Sequence, residues 1–105
     1  MKLSCIALAL ALFAPPALAQ DVTFSCTYPF GDHSLGVLAS NSGSDSKDCK
    51  AACSAHDSAD DTGLLIFMVN CEGSVAGGAS GLLMCSRGGY QGGALENAQV
   101  AGHCQ

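Results

Sequence analysis

Seven cysteines fall within a chain of only 105 residues, and their odd number resolves once the N-terminus is read as an export signal. Lys2 precedes an apolar stretch over residues 3–13, Ala14-Pro15-Pro16 breaks it, and Ala17-Leu18-Ala19 places small residues where signal peptidase needs them. That three-part order is a secretory signal peptide. The apolar stretch is shorter than the roughly 20 residues of a membrane-spanning helix. Cys5 lies too early for a lipid-modified terminus. Cleavage is therefore expected between Ala19 and Gln20, dividing the chain into a signal over residues 1–19 and one secreted domain over residues 20–105. Cys5 leaves with the signal, and Cys26, Cys49, Cys53, Cys71, Cys85 and Cys104 remain. An even set in a small exported domain reads as three disulfides.

The remaining 86 residues need such staples. All 13 glycines of the chain lie in this part, which has no tryptophan, two tyrosines and three of the four phenylalanines. Glycine raises the entropy lost on folding, and few aromatic rings limit the apolar area available to offset it. At this length a single core is marginal without cross-links.

Charge narrows the function classes. Nine acidic groups stand against four basic ones. Once Lys2 is removed the balance is −6. No Lys/Arg patch exists to neutralise phosphates, so nucleic-acid binding is not expected. The membrane-lytic chemistry of small cationic peptides is disfavoured as well. No second stretch is apolar enough to span a bilayer. There is no Asn-x-Ser/Thr glycosylation site and no dibasic processing site.

Val22, Phe24, Cys26 and Tyr28 alternate with Thr23, Ser25 and Thr27, the period of a half-buried strand. Pro29 and Gly31-Asp32 close it in a turn. Residues 35–39 fit a short second strand. Over residues 45–57, Cys49, Ala52, Cys53 and His56 fall at the i, i+3, i+4, i+7 spacing of a helix, with Ser44 or Ser46 as its cap. The run Leu64-Leu65-Ile66-Phe67-Met68-Val69 reads as a buried central strand, and residues 82–85 as a short strand antiparallel to it. Residues 94–98 favour a short helix, and residues 99–104 an edge strand. The expected class is α+β, in the order β-α-β-β-α-β: a small antiparallel sheet with one or two helices on one face.

A helix over residues 45–57 puts Cys49 and Cys53 one turn apart on the same face, each pointing at the sheet. Disulfide geometry wants closer β-carbons than that spacing gives, so the two take different partners. The preferred pairing ties Cys26 and Cys71 to this helix and leaves Cys85 with Cys104. The absence of a C-x-C strand argues against defensin-like and scorpion-toxin-like frameworks. Zinc is disfavoured because C-x3-C is not the usual knuckle spacing and exported thiols oxidise.

Motifs for catalysis are missing. His33, His56 and His103 read as a turn, a helix-end and a tail histidine. No serine sits in G-x-S-x-G, and no glycine cluster has the spacing of a phosphate loop. Asp57, Asp60 and Asp61 supply too few oxygen ligands for calcium. No enzyme activity, cofactor or metal is expected. The candidate binding residues lie in loops over residues 31–44, 73–81 and 87–93 and beside them: Tyr28, Phe30, His33, Arg87 and Tyr90.

A signal ending Ala17-Leu18-Ala19, a short six-cysteine domain and the lack of enzyme motifs resemble the small secreted cysteine-rich, effector-like proteins of filamentous fungi. The expected element order, with Cys49 and Cys53 on a first helix, also looks like the killer-toxin-like branch of that group. The resemblance implies a secreted, non-enzymatic virulence or interaction factor that binds an extracellular or cell-surface protein of a host or microbe. An antimicrobial or killer-type toxin and a secreted protease or hydrolase inhibitor are the alternatives. The absence of a dibasic site departs from toxins released by proprotein cleavage.

Overall fold

The computed structural model describes residues 21–105; the expected signal segment, its Ala19–Gln20 junction and Cys5 lie outside the described residues. Six strands follow one another: β1 (Val22–Thr27), β2 (Leu35–Asn41), β3 (Lys47–Asp57), β4 (Ile66–Val75), β5 (Leu82–Arg87) and β6 (Leu95–Cys104). They form two antiparallel three-stranded sheets, ordered β1-β2-β5 and β4-β3-β6. The sheets pack face to face, with β5 against β4 on one flank and β1 against β6 on the other.

The α+β expectation is therefore wrong, and both expected helices are strands. Residues 47–57 support two periods at once, because alanine occupies positions 51, 52 and 55 and suits a helical stripe as well as a strand face. The strand period prevails. Cys49, Ala51, Cys53, Ala55 and Asp57 are buried, while Lys50, Ala52, Ser54 and His56 face outward. Tertiary context decides because β3 is the central strand of its sheet and bonds on both sides. With no helix there, Ser44 and Ser46 cap nothing, and His56 is a mid-sheet residue paired across to Ile66 and Glu96.

The second expected helix, residues 94–98, is the start of β6. Its register against β3 slips between Ser54 and His56, and Asn97 takes a positive φ of 54°. Asparagine tolerates that left-handed conformation, so the local helix preference is absorbed as an irregularity in an edge strand. β5 also departs from expectation. It pairs with β2 in the opposite sheet, not with β4.

The disulfides follow from this layering. Cys26–Cys53 joins β1 to β3 and Cys71–Cys85 joins β5 to β4, each across the two sheets, while Cys49–Cys104 links neighbouring strands β3 and β6. Cys49 and Cys53 do take different partners, but the preferred Cys85–Cys104 pairing and a Cys71 bond to β3 do not occur. A strand places Cys49 beside Cys104 in register, an alignment no helix provides.

The core is thin. Leu35, Val37, Ala51, Cys53, Ala55, Phe67, Val69, Cys71 and Leu95 form its larger cluster, and Val22, Ala39, Cys49 and Val75 the smaller. Alanines and half-cystines fill much of it. Gly102 matters here, because a β-carbon at that position would lie 2.7 Å from the Phe24 ring. Its absence lets the ring of β1 lie on the backbone of β6.

At one end Asn41 replaces a hydrophobic plug. It is 1 % exposed, donates through Nδ2 to the Asp45 and Val75 carbonyls at 2.9 and 3.1 Å, and accepts from the Gly43 amide at 2.9 Å. Every polar atom of that buried amide is satisfied, as burial demands.

Candidate functional site

Three hairpin or crossover loops meet at the opposite end of the sandwich: residues 28–34 between β1 and β2, residues 58–65 between β3 and β4, and residues 88–94 between β5 and β6. The first belongs to one sheet and the second to the other. The third runs from β5 on one flank to β6 on the other, so it crosses the end diagonally between them.

The diagonal loop is pinned along its length. The Tyr90 amide donates to the His33 carbonyl at 3.0 Å, and the Leu95 amide to the Asp32 carbonyl at 2.7 Å. On the other side the Ser58 amide donates to the Ala94 carbonyl at 2.9 Å. The His33 ring lies between Asp32 and the Gly92 carbonyl, with Nδ1 2.9 Å from Asp32 Oδ1 and Nε2 3.0 Å from the Gly92 oxygen.

Asp57, the last residue of β3, is the hub. It is 6 % exposed. Its Oδ1 accepts from the Ala59 and Gly93 amides at 2.8 and 3.1 Å, and its Oδ2 accepts from the Tyr90 hydroxyl at 2.6 Å. One carboxylate thus fastens the second loop to the third. These bonds favour the charged form, the Tyr90 hydroxyl most and the Ala59 amide next, and hold Asp57 below the ordinary carboxylate range against the opposing effect of burial. The same bond, with burial, raises the Tyr90 phenol above its ordinary value.

The sign of the resulting pH dependence follows. A depressed folded-state value makes the Asp57 contribution complete above the unfolded carboxylate value and lost as pH falls through the folded one. Asp57→Asn should lower the melting temperature at pH 7 and flatten the acid-side loss of stability below about pH 4. Thermal melts of both proteins from pH 7 to pH 2 check this; parallel curves would rule out Asp57 as the acid-sensitive fastener.

Within the second loop, Asp60 accepts from the Thr62 hydroxyl at 2.7 Å, the Leu65 amide at 2.8 Å and the Thr62 amide at 3.2 Å. Its carboxyl is likewise held low, chiefly by the Thr62 hydroxyl. The first loop is closed by Ser34, which donates to the Gly31 carbonyl and accepts from the Phe30 amide, both at 2.8 Å.

Beneath the loops Phe67 joins the remaining parts. Its ring centroid is 5.0 Å from that of Tyr90, and the Arg87 guanidinium sits 4.4 Å above it. Arg87 also donates through Nη1 to the Met68 carbonyl at 3.0 Å.

On this tied frame stand exposed apolar side chains. Phe30 is 76 % exposed, Leu64 79 % and Leu65 55 %, and Tyr28, just after β1, is 37 % exposed. The five binding candidates named from sequence, Tyr28, Phe30, His33, Arg87 and Tyr90, all fall at this end. Their parts differ: Tyr28 and Phe30 point outward, while His33, Arg87 and Tyr90 hold the loops. Residues 35–41 within the first expected loop are β2. Residues 76–81 turn at the far end beside Asn41, away from the others.

Leu64 and Leu65, expected in a buried strand, are instead exposed loop residues. The apolar run is continuous in sequence, but β4 begins only at Ile66 and alternates, burying Phe67 and Val69 and exposing Ile66 and Met68. The signal was the Asp60-x-Thr62-Gly63 turn directly before the leucines, which keeps them in the loop.

A shallow hollow of about 540 Å³ lies on the outer face of the β4-β3-β6 sheet, with Lys50, Glu72 and His103 aligned across the strands. Among the described residues, no group of three or more histidines, cysteines or acidic side chains is gathered to hold a metal. No helix among them is long and apolar enough to cross a membrane. Comparison with protein-family models, characterised proteins and solved structures returned no match.

Proposed function

We propose that this protein is a secreted, effector-like, non-enzymatic binding module that engages an extracellular or cell-surface protein of a host or microbe through its three-loop end. Three disulfides in so small a domain are compatible with an oxidising exterior. The observation that carries the reading is the pairing of exposure with restraint at Phe30, Leu64 and Leu65. Exposed apolar groups gain from burial against a partner, at about 25 cal/mol per Å². Loops already tied by Asp57, Asp60 and Ser34 lose little freedom when that happens, which is how pre-organisation raises affinity.

Oxidised protein displayed on a surface tests the proposal against extracellular and cell-surface proteins. A saturable partner is expected, bound at least about tenfold more weakly by Phe30→Ala or Leu65→Ala, the loss typical of a residue at the centre of an interface. A partner that binds those variants as well as it binds the parent overturns the assignment of this end.

A further inference from the structure

The exposed leucines lead directly into an unpaired sheet edge. β4 bonds to β3 on one side only. The Asp57 amide donates to the Leu65 carbonyl, which sets the ladder so that Phe67 and Val69 bond toward β3 while Ile66 and Met68 turn their backbone groups outward. Arg87 confirms the direction, because its guanidinium meets the Met68 carbonyl from that outer side. Among the described residues, neither the N–H and C=O of Ile66 nor the N–H of Met68 meets a partner. The same two residues expose their side chains, Ile66 at 52 % and Met68 at 44 %. An open edge with alternating apolar side chains is a template for another strand.

The ends of this edge differ in charge. Exposed Asp61 lies three residues before Leu64, in the turn that leads into β4, and Arg87 meets the edge at the Met68 carbonyl. A complementary segment is apolar at alternate positions, with a basic residue against Asp61 and an acidic one against Arg87. Antiparallel addition puts the acidic residue at its N-terminal end. A second copy of this chain fits less well, because two domains of strong negative charge repel.

We propose that β4 accepts an extended segment of a partner protein by antiparallel strand addition over residues 64–68, with its register set by Asp61 and Arg87. This rests on the binding-module reading above and gives the partner its chemistry: an extended apolar strand with opposite charges at its two ends.

Two synthetic peptides of one composition test it, acetyl-Glu-Val-Thr-Val-Thr-Val-Lys-amide and its charge-swapped form with Lys first and Glu last. The first should bind the oxidised protein saturably and at least tenfold more tightly than the swapped form. Amide hydrogen exchange should slow at Ile66 and Met68 and stay unchanged at Phe67 and Val69, which β3 already protects. Met68→Pro removes an outward N–H without touching the β3 ladder and should cut binding at least tenfold. Asp61→Lys, at an exposed site, should abolish the preference between peptides. Equal binding of the two peptides, no binding of either, or binding without protection at Ile66 and Met68 overturns the proposal. A captured natural partner indifferent to Met68→Pro overturns strand addition and leaves the three-loop reading standing. Peptide protection without any captured partner does the reverse.

Discussion

Reduction of the disulfides should unfold the domain at 37 °C. Their loops close over sequence separations of 27, 55 and 14 residues. On the chain-entropy account each is worth about 3–4 kcal/mol. Together that is about 10 kcal/mol, comparable to the whole stability of an ordinary domain, about 5–15 kcal/mol. The thin interior makes the loss decisive, since Ala51, Ala55, Ala39 and the half-cystines themselves occupy much of it. Removing Cys26–Cys53 by replacing both residues with alanine should cost more than its loop entropy alone. It takes out a bond between the sheets at Cys53, whose exposure is 0 %. Circular dichroism melts with and without reductant, backed by free-thiol counts, measure the effect. A reduced protein that still melts cooperatively within a few degrees of the oxidised one would show that the sheets hold without staples.

Phe67→Ala should destabilise the domain by about 3–5 kcal/mol, the usual cost of removing a buried ring. Phe67 is the largest side chain of the main core cluster and the support for both Tyr90 and Arg87. Its loss acts on two levels. The core gains a cavity, and the diagonal loop loses the surface against which Tyr90 packs while bonding to Asp57. Hydrogen exchange over residues 88–94 should therefore speed up more than exchange around Asn41 at the far end. Phe67→Leu separates the two effects: it keeps most of the volume and removes the ring. Stability restored by leucine, with the loop still loosened, is the expected outcome; uniform loosening of both ends would reduce Phe67 to a core filler.

Some of this architecture is written in local pattern. The alternation from Val22 to Cys26 sets β1 and its buried face because threonine and serine occupy every other position. Cysteine parity announces three bridges. The segment over residues 47–57 is different in kind, since its alanines satisfy two periods and only the partners on either side choose between them. Nothing local foretells that β5 joins β2, a pairing that spans more than forty residues of sequence. The site divides the same way. Tyr28 and Phe30 were legible as aromatic residues near turn signals. Asp57 was not, because its role depends on Tyr90 and Gly93, more than thirty positions away. Leu64 and Leu65 were hidden by composition: a hydrophobic run looks buried until the turn before it is given priority.

The diagonal crossing also governs how this surface can vary. Most of its fastenings are main-chain atoms, among them the amides of Tyr90, Ser58 and Leu95 and the carbonyls of His33, Asp32 and Ala94. Main-chain donors and acceptors survive replacement of the side chains they carry. The tips at Phe30, Leu64 and Leu65 are therefore free to diversify while the frame beneath them persists.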